Sequence, residues 1–148
     1  MRRILGVFLL SVLLGFAPGI SAQMPPDDAR PTGEQESGFI LGQNYPNPFN
    51  PETRIPFDLL EVLFSDGGRA IVSVRIYNAL QQFVATPTAL SHPSGQAPFV
   101  DLEYVTPGRY EAYWDGLDQS GREVASGIYF GRLTVNGVTD VMRMYVAK

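Results

Sequence analysis

The sequence predicts an all-β protein, an antiparallel β-sandwich of about seven strands. Three observations carry that expectation. Apolar and polar residues alternate with period two in several short runs, as strands with one buried face require. Turn-forming residues cluster between those runs; the 148 residues include 12 prolines and 15 glycines, which punctuate short strands. No stretch of useful length carries the period of an amphipathic helix. Two sheets around one core satisfy this pattern, and a small barrel is the alternative arrangement.

The elements follow in order. Residues 1–22 read as a secretory signal peptide. MRR is basic, Ile4 to Ala17 is continuously apolar, and Ala22 offers a small residue for cleavage. A membrane anchor is the competing reading, but the apolar run falls short of the roughly 20 residues that span a bilayer. The absence of cysteine excludes a lipoprotein anchor and any disulfide framework. Residues 23–38 read as a disordered linker, rich in Pro, Asp and Glu. Residues 39–148 form the folded domain, long enough for one sizeable core.

QNYPNPFNPETRIPFDL, Gln43 to Leu59, opens the domain. Its prolines fix φ and push each preceding residue toward extended backbone. Asn47 and Asn50 are placed to close local turns through their side chains, and Phe49 to plug the open end of the sandwich. In the strand that follows, Ile55, Phe57 and Leu59 share one face. Pro56 cannot donate to a ladder, which predicts an edge strand. Leu59 to Phe64 is too short for an independent helix, and Ser65 to Gly68 is a turn. Val72, Val74 and Ile76 define the inner face of the next strand. A short run, QQFVA, precedes a polar loop, Thr86 to Gln96, of unassigned course. APFVDLEY adds another short strand.

The second half is clearer. Tyr110, Ala112 and Trp114 alternate inward after the turn at Thr106 to Gly108. Asp115 to Val124 is a polar turn region containing Gly116 and Gly121. Tyr129, Leu133 and Val135 mark the inner face of the next strand, with Gly127 expected to let the backbone pass close to a neighbour. Asn136 and Gly137 then link it to the last strand. Asn-Gly between two β runs is the strongest short-range hairpin signal.

Little in the chain speaks for catalysis. His92 is the single histidine and sits in a loop; with no cysteine and no nucleophile elbow, no triad assembles. Phosphate-binding glycine motifs are absent. Asp115 and Asp118 are the candidate metal ligands, for Ca²⁺, but their spacing is not that of an EF-hand. The other reading is that both cap backbone N–H groups in a tight turn. Without Arg2 and Arg3 the chain keeps 9 basic residues against 15 acidic, a formal charge of −6, so no general attraction to nucleic acid or anionic lipid is expected. Of the 17 aromatic residues, Tyr113 and Tyr145 fall on outer registers and are candidates for a protein–protein patch.

These stretches together resemble a known family. LGQNYPNPFNPETRIPFDL is similar to the start of the C-terminal sorting domain carried by cargo of the type IX secretion system, and to the immunoglobulin-like domain of the flagellar hook-capping protein. VSVRIYNALQQFV, PGRYEAYWDGLDQSGREVASGIYFGRL and VTDVMRMYVAK continue the pattern in order, over Phe39 to Lys148. The resemblance implies an immunoglobulin-like or fibronectin-like sandwich without enzymatic activity or cofactor. It implies a chain exported across the inner membrane to the cell surface or medium, with outer-membrane export machinery as partner and no small-molecule substrate. The residues it singles out for recognition are Gly127, Tyr129, Asn136, Gly137, Arg143, Tyr145 and Lys148. Asn47, Phe49, Asn50, Trp114, Asp115, Gly116 and Gly121 are the structural set. One departure is Gln81, where the family carries glycine; any positive φ there costs about 1 kcal/mol. Another is that no large passenger precedes the domain. The competing function is a structural or adhesive surface module, a self-associating subunit or a scaffold, marked by an exposed apolar patch or an unpaired edge at Arg54 to Leu59.

Overall fold

The computed structural model describes residues 37–148; the expected signal peptide and nearly all of the expected linker lie outside the described residues. Ten strands form two antiparallel sheets. The first sheet contains β1 (Phe39–Leu41), β2 (Thr53–Leu59), β8 (Gly108–Trp114), β5 (Thr88–Ala89) and β6 (Ala97–Pro98), in that spatial order. The second runs β10 (Val138–Val146), β9 (Gly127–Val135), β3 (Ala70–Asn78) and β4 (Phe83–Ala85), with β7 (Leu102–Tyr104) also paired to β3. This is the expected all-β sandwich. The strand number exceeds seven because four of the ten are two- or three-residue pieces of the Phe83 to Tyr104 stretch.

Alternation explains the core. Ile55, Phe57 and Leu59 from one sheet meet Val72, Val74, Ile76 and Leu133 from the other, all nearly inaccessible. Phe57, Phe99, Tyr104 and Tyr110 pack edge-on, tilted or stacked at the end where β7 closes on β3. Burial pushes the Tyr104 hydroxyl up to about 12. Leu63 and Phe64, in a 3-10 stretch over Glu61–Gly67 broken at Ser65 and Asp66, pack partly against this core.

Two expectations are corrected here. β2 is not an edge strand: β8 pairs along its whole length and β1 pairs with Phe57 to Leu59. Pro56 is tolerated because the pairing with β1 ends beside it. Gly42, just beyond β1, donates to the Pro56 carbonyl at 2.9 Å, and the return bond that Pro56 cannot make falls at the last rung of that pairing. The Thr86 to Gln96 loop also acquires a course. It crosses from β4 on one sheet to β5 on the other, where Thr88 and Ala89 extend β8. His92 locks the end of that crossing. Its Nδ1 accepts from the Ser94 amide at 3.1 Å, Nε2 lies 2.9 Å from the Glu103 carbonyl, and its ring meets Tyr104 edge-on. Gln81 does adopt positive φ, at 62°. The Asn78 carboxamide oxygen offsets part of that cost by accepting from the Leu80 and Gln82 amides.

Candidate recognition surface

The proline-rich opening is ordered by a residue that sequence reasoning passed over. Asn44 is buried, 2% exposed. Its Nδ2 donates to the Pro46 carbonyl and to Thr53 Oγ1, and Thr53 Oγ1 donates to the same carbonyl. Gln43 Nε2 donates to Asn44 Oδ1. Every polar group of this knot therefore has a partner, which a buried amide and hydroxyl require. The loop leaves the knot through cis peptide bonds before Pro46, Pro48 and Pro51. Tyr45 extends outward, where its hydroxyl donates to Glu111, and Arg54 pairs with the same carboxylate at 3.1 Å. The Tyr45 hydroxyl bond is the main cause holding the Glu111 carboxyl below its usual range, helped by Arg54.

The opening then meets the end of the chain. The Phe49 amide donates to the Tyr145 carbonyl at 3.0 Å, and the Ala147 amide donates to the Phe49 carbonyl at 3.1 Å. Asn47 does not close a local turn; its Oδ1 accepts from the Tyr145 amide, 98 residues away. Gln43 Nε2 reaches the Arg143 carbonyl at 3.0 Å. The outer edge of β10 is thus covered from Arg143 to Ala147 by Gln43, Asn47 and Phe49. Asn50, expected to act like Asn47, is exposed and its side chain makes no hydrogen bond in the described structure. Phe49 is buried as expected, its ring edge-on to Trp114 at 5.4 Å.

Trp114 forms the floor of this end. It is 2% exposed, packs against Tyr129 at 5.6 Å, and donates its indole N–H to the Leu117 carbonyl. Gly116 sits against the opening: a Cβ there would lie 2.2 Å from the Pro51 carbonyl oxygen, and φ is +75°. Asp115 Oδ1 accepts from the Leu117 amide. Asp118 Oδ1 accepts from Ser120 and Arg122 amides while Oδ2 takes the Arg122 guanidinium. The Arg122 and Ser120 amide bonds are the main cause keeping the Asp118 carboxyl low. Gly121, φ +76°, donates to the Asp118 carbonyl to complete the turn. Both aspartates are used as turn caps.

The residues expected for recognition do not form one site. Tyr129 lies on the inner register of β9, is 8% exposed, and donates to the Ala125 carbonyl, so it is a packing residue. Gly127 is not in a close approach, since a Cβ there meets nothing within 4 Å; its φ of +153° is what requires glycine. Lys148 is fixed beside it, its amide bonded to Ser126 Oγ and its ammonium to Glu123 at 2.9 Å. Tyr145 and Arg143 are exposed on the outer face of β10. Asn136 and Gly137, with φ of 49° and 84°, lie at the far end of the hairpin, roughly 27 Å away for nine-residue strands. There Asn136 clamps β3: Oδ1 accepts from the Ile71 amide and Nδ2 donates to the Arg69 carbonyl.

The chain matches no described protein family and no curated protein. Two solved structures match in part. One is the dimeric latent PorU from Porphyromonas gingivalis, at TM-score 0.47 and 19% identity, over 73% of this chain and 9% of that one. The other is PorZ, an essential surface component of the type-IX secretion system of the same organism, at TM-score 0.42 and 18% identity, over 80% of this chain and 12% of that one. This chain spans only about a tenth of the length of either protein.

Proposed function

We propose that this chain is a non-enzymatic export domain whose terminal hairpin, β9 and β10, is read by the outer-membrane machinery of type IX secretion. One observation carries the reading. The four segments that resemble the sorting-domain pattern converge on β10 and its neighbours: the opening covers its edge, the WDG turn supports its end, and the penultimate strand pairs along its length. The terminal residue is presented at the surface by Ser126 and Glu123 rather than left to fray. The competing reading needs an unpaired edge at Arg54 to Leu59 or an exposed apolar patch; that edge is paired by β8, β1 and the Tyr45 segment, whereas Ile128, Val138 and Val141 are exposed.

The test is fractionation of the native host with and without its type IX machinery, together with a passenger fused ahead of Phe39. The intact domain carries the passenger to the surface or medium. Lys148→Ala, which leaves the core untouched, strands it in the periplasm with its signal peptide removed. Equal surface delivery by host cells lacking the machinery overturns the proposal.

A further inference from the structure

Four of the described cations, Arg54, Arg69, Arg122 and Lys148, sit in ion pairs. Three others gather on the outer face of the second sheet. The β3–β9 register sets Arg75 directly opposite Arg132, and the β9–β10 register sets Arg143 opposite Phe130, one outward position further along. Among the described residues none of the three makes an ion pair. Arg109, the remaining unpaired cation among the described residues, lies on the other sheet opposite Asp58. Like charges directly opposite across a strand pair destabilise a sheet, so the Arg75–Arg132 pair carries a cost in the isolated fold.

Aromatic rings hold two of these guanidinium groups in place. Arg132 lies over Tyr77 at 4.5 Å and Arg143 over Tyr145 at 5.4 Å. A ring beneath a guanidinium leaves its planar fork of donors facing outward. Phe130 and Val141 lie between and Ile128 stands opposite Tyr145, with Ile128 and Val141 40% and 47% exposed. Ser73, Asp101 and Thr134 complete a shallow depression of about 260 Å³ beside Arg75 and Arg132. Asp101 accepts from Ser73 Oγ at 2.9 Å instead of pairing with either arginine.

We propose that this face docks an acidic, extended segment of a partner protein, whose carboxylates take the forks of Arg75, Arg132 and Arg143. Charge complementarity selects this occupant. Arginine and tyrosine interleaved with apolar side chains is the composition of protein–protein hot spots, and the guanidinium fork fits a carboxylate bidentately. The chain's formal charge of −6 without Arg2 and Arg3 opposes every anion, and it opposes a dense polyanion such as nucleic acid or an anionic membrane more than a short acidic segment. The edge of β10 is not the docking element, because Asp140 Oδ1 occupies the outward Val141 amide. The proposal rests on the export reading only for where the partner resides.

The test titrates the purified protein with a synthetic peptide bearing glutamate at every second residue, with heparin and with phosphatidylglycerol vesicles as the other arms. The peptide binds most tightly. Replacing all three residues (Arg75→Gln, Arg132→Gln, Arg143→Gln) weakens it by about tenfold or more, while Arg54→Gln with Arg69→Gln does not. Relief of the Arg75–Arg132 repulsion leaves the melting midpoint of the triple variant unchanged or higher. If it falls instead, Arg143→Gln alone, over Tyr145, is read for binding. Equal binding by wild type and variant, no peptide binding, or preference for heparin or vesicles overturns the proposal. The passenger assay is scored separately: failed delivery by the intact domain defeats the export reading and leaves the peptide result standing.

Discussion

Asn44 bridges Pro46 and Thr53 in a site that excludes water. Asn44→Ala leaves a buried carbonyl and hydroxyl short of a donor, at about 1–3 kcal/mol, whereas Asn50→Ala stays near zero. Denaturant melts of the two variants check this. Trp114→Ala removes the floor under Phe49 and Tyr129 and costs about 3–5 kcal/mol; Asp115→Ala loses one turn cap and costs less, and the same melts rank them. Titration follows from the shifted groups. Glu111 and Asp118 are depressed, so their contribution is fully present above the ordinary carboxylate range and is lost as pH falls through their folded values. Tyr104 is raised, so its contribution is present below the unfolded value of 10.0 and is lost as pH climbs from there to about 12. Thermal midpoints across pH measure both flanks, and Tyr104→Phe flattens the alkaline one. Sequence alone marked Trp114 and Phe49, because large aromatics on an inner register have one destination. It did not mark Asn44, whose partners are set by how the prolines fold the chain back and not by spacing.

At the level of elements, alternation was enough to assign the faces of β2, β3, β8, β9 and β10, since one buried face forces period two. It was silent on which strand neighbours which. Pro56 suggested an edge because its missing donor is a local fact, while the end of the β1 pairing beside it, where the lost bond falls, is set by another segment. The sheet crossing after Ala85 was hidden for the same reason: two-residue strands carry no periodicity. The arginine face needed both alternation and cross-strand register, and only the first is in the sequence. The Asn136–Gly137 turn was legible as a turn, but not as a clamp on β3. Asn136→Gly keeps the positive φ and deletes the two side-chain bonds to Arg69 and Ile71. It therefore destabilises by about 1–3 kcal/mol with the hairpin register intact, read as a lower denaturant midpoint and unchanged cross-strand contacts by NMR.

Across the whole molecule, the first and last segments of the domain are one structural unit. Phe49 bonds both Tyr145 and Ala147, Asn47 bonds Tyr145, and Val146 is buried between the sheets. Deleting Tyr145 to Lys148 therefore does not merely trim an exposed end. It uncovers Phe49, strips three hydrogen bonds from the opening and removes the buried Val146, so the truncated domain loses several kcal/mol, of the order of a core truncation. Failure of that truncation to reach the surface would report misfolding as readily as a missing signal. Lys148→Ala separates the two, because its ammonium makes one exposed ion pair with Glu123, and such pairs contribute about 0–1 kcal/mol. Hydrogen exchange supplies the control. In the intact domain the Phe49 and Ala147 amides exchange together, through one opening event, because each closes the same ring of backbone between the opening and β10. Lys148→Ala leaves that joint protection in place, and the Tyr145 to Lys148 deletion abolishes it at Phe49. Independent exchange of Phe49 and Ala147 in the intact domain would show that the two ends fold separately, and the deletion would then be a fair probe of export after all.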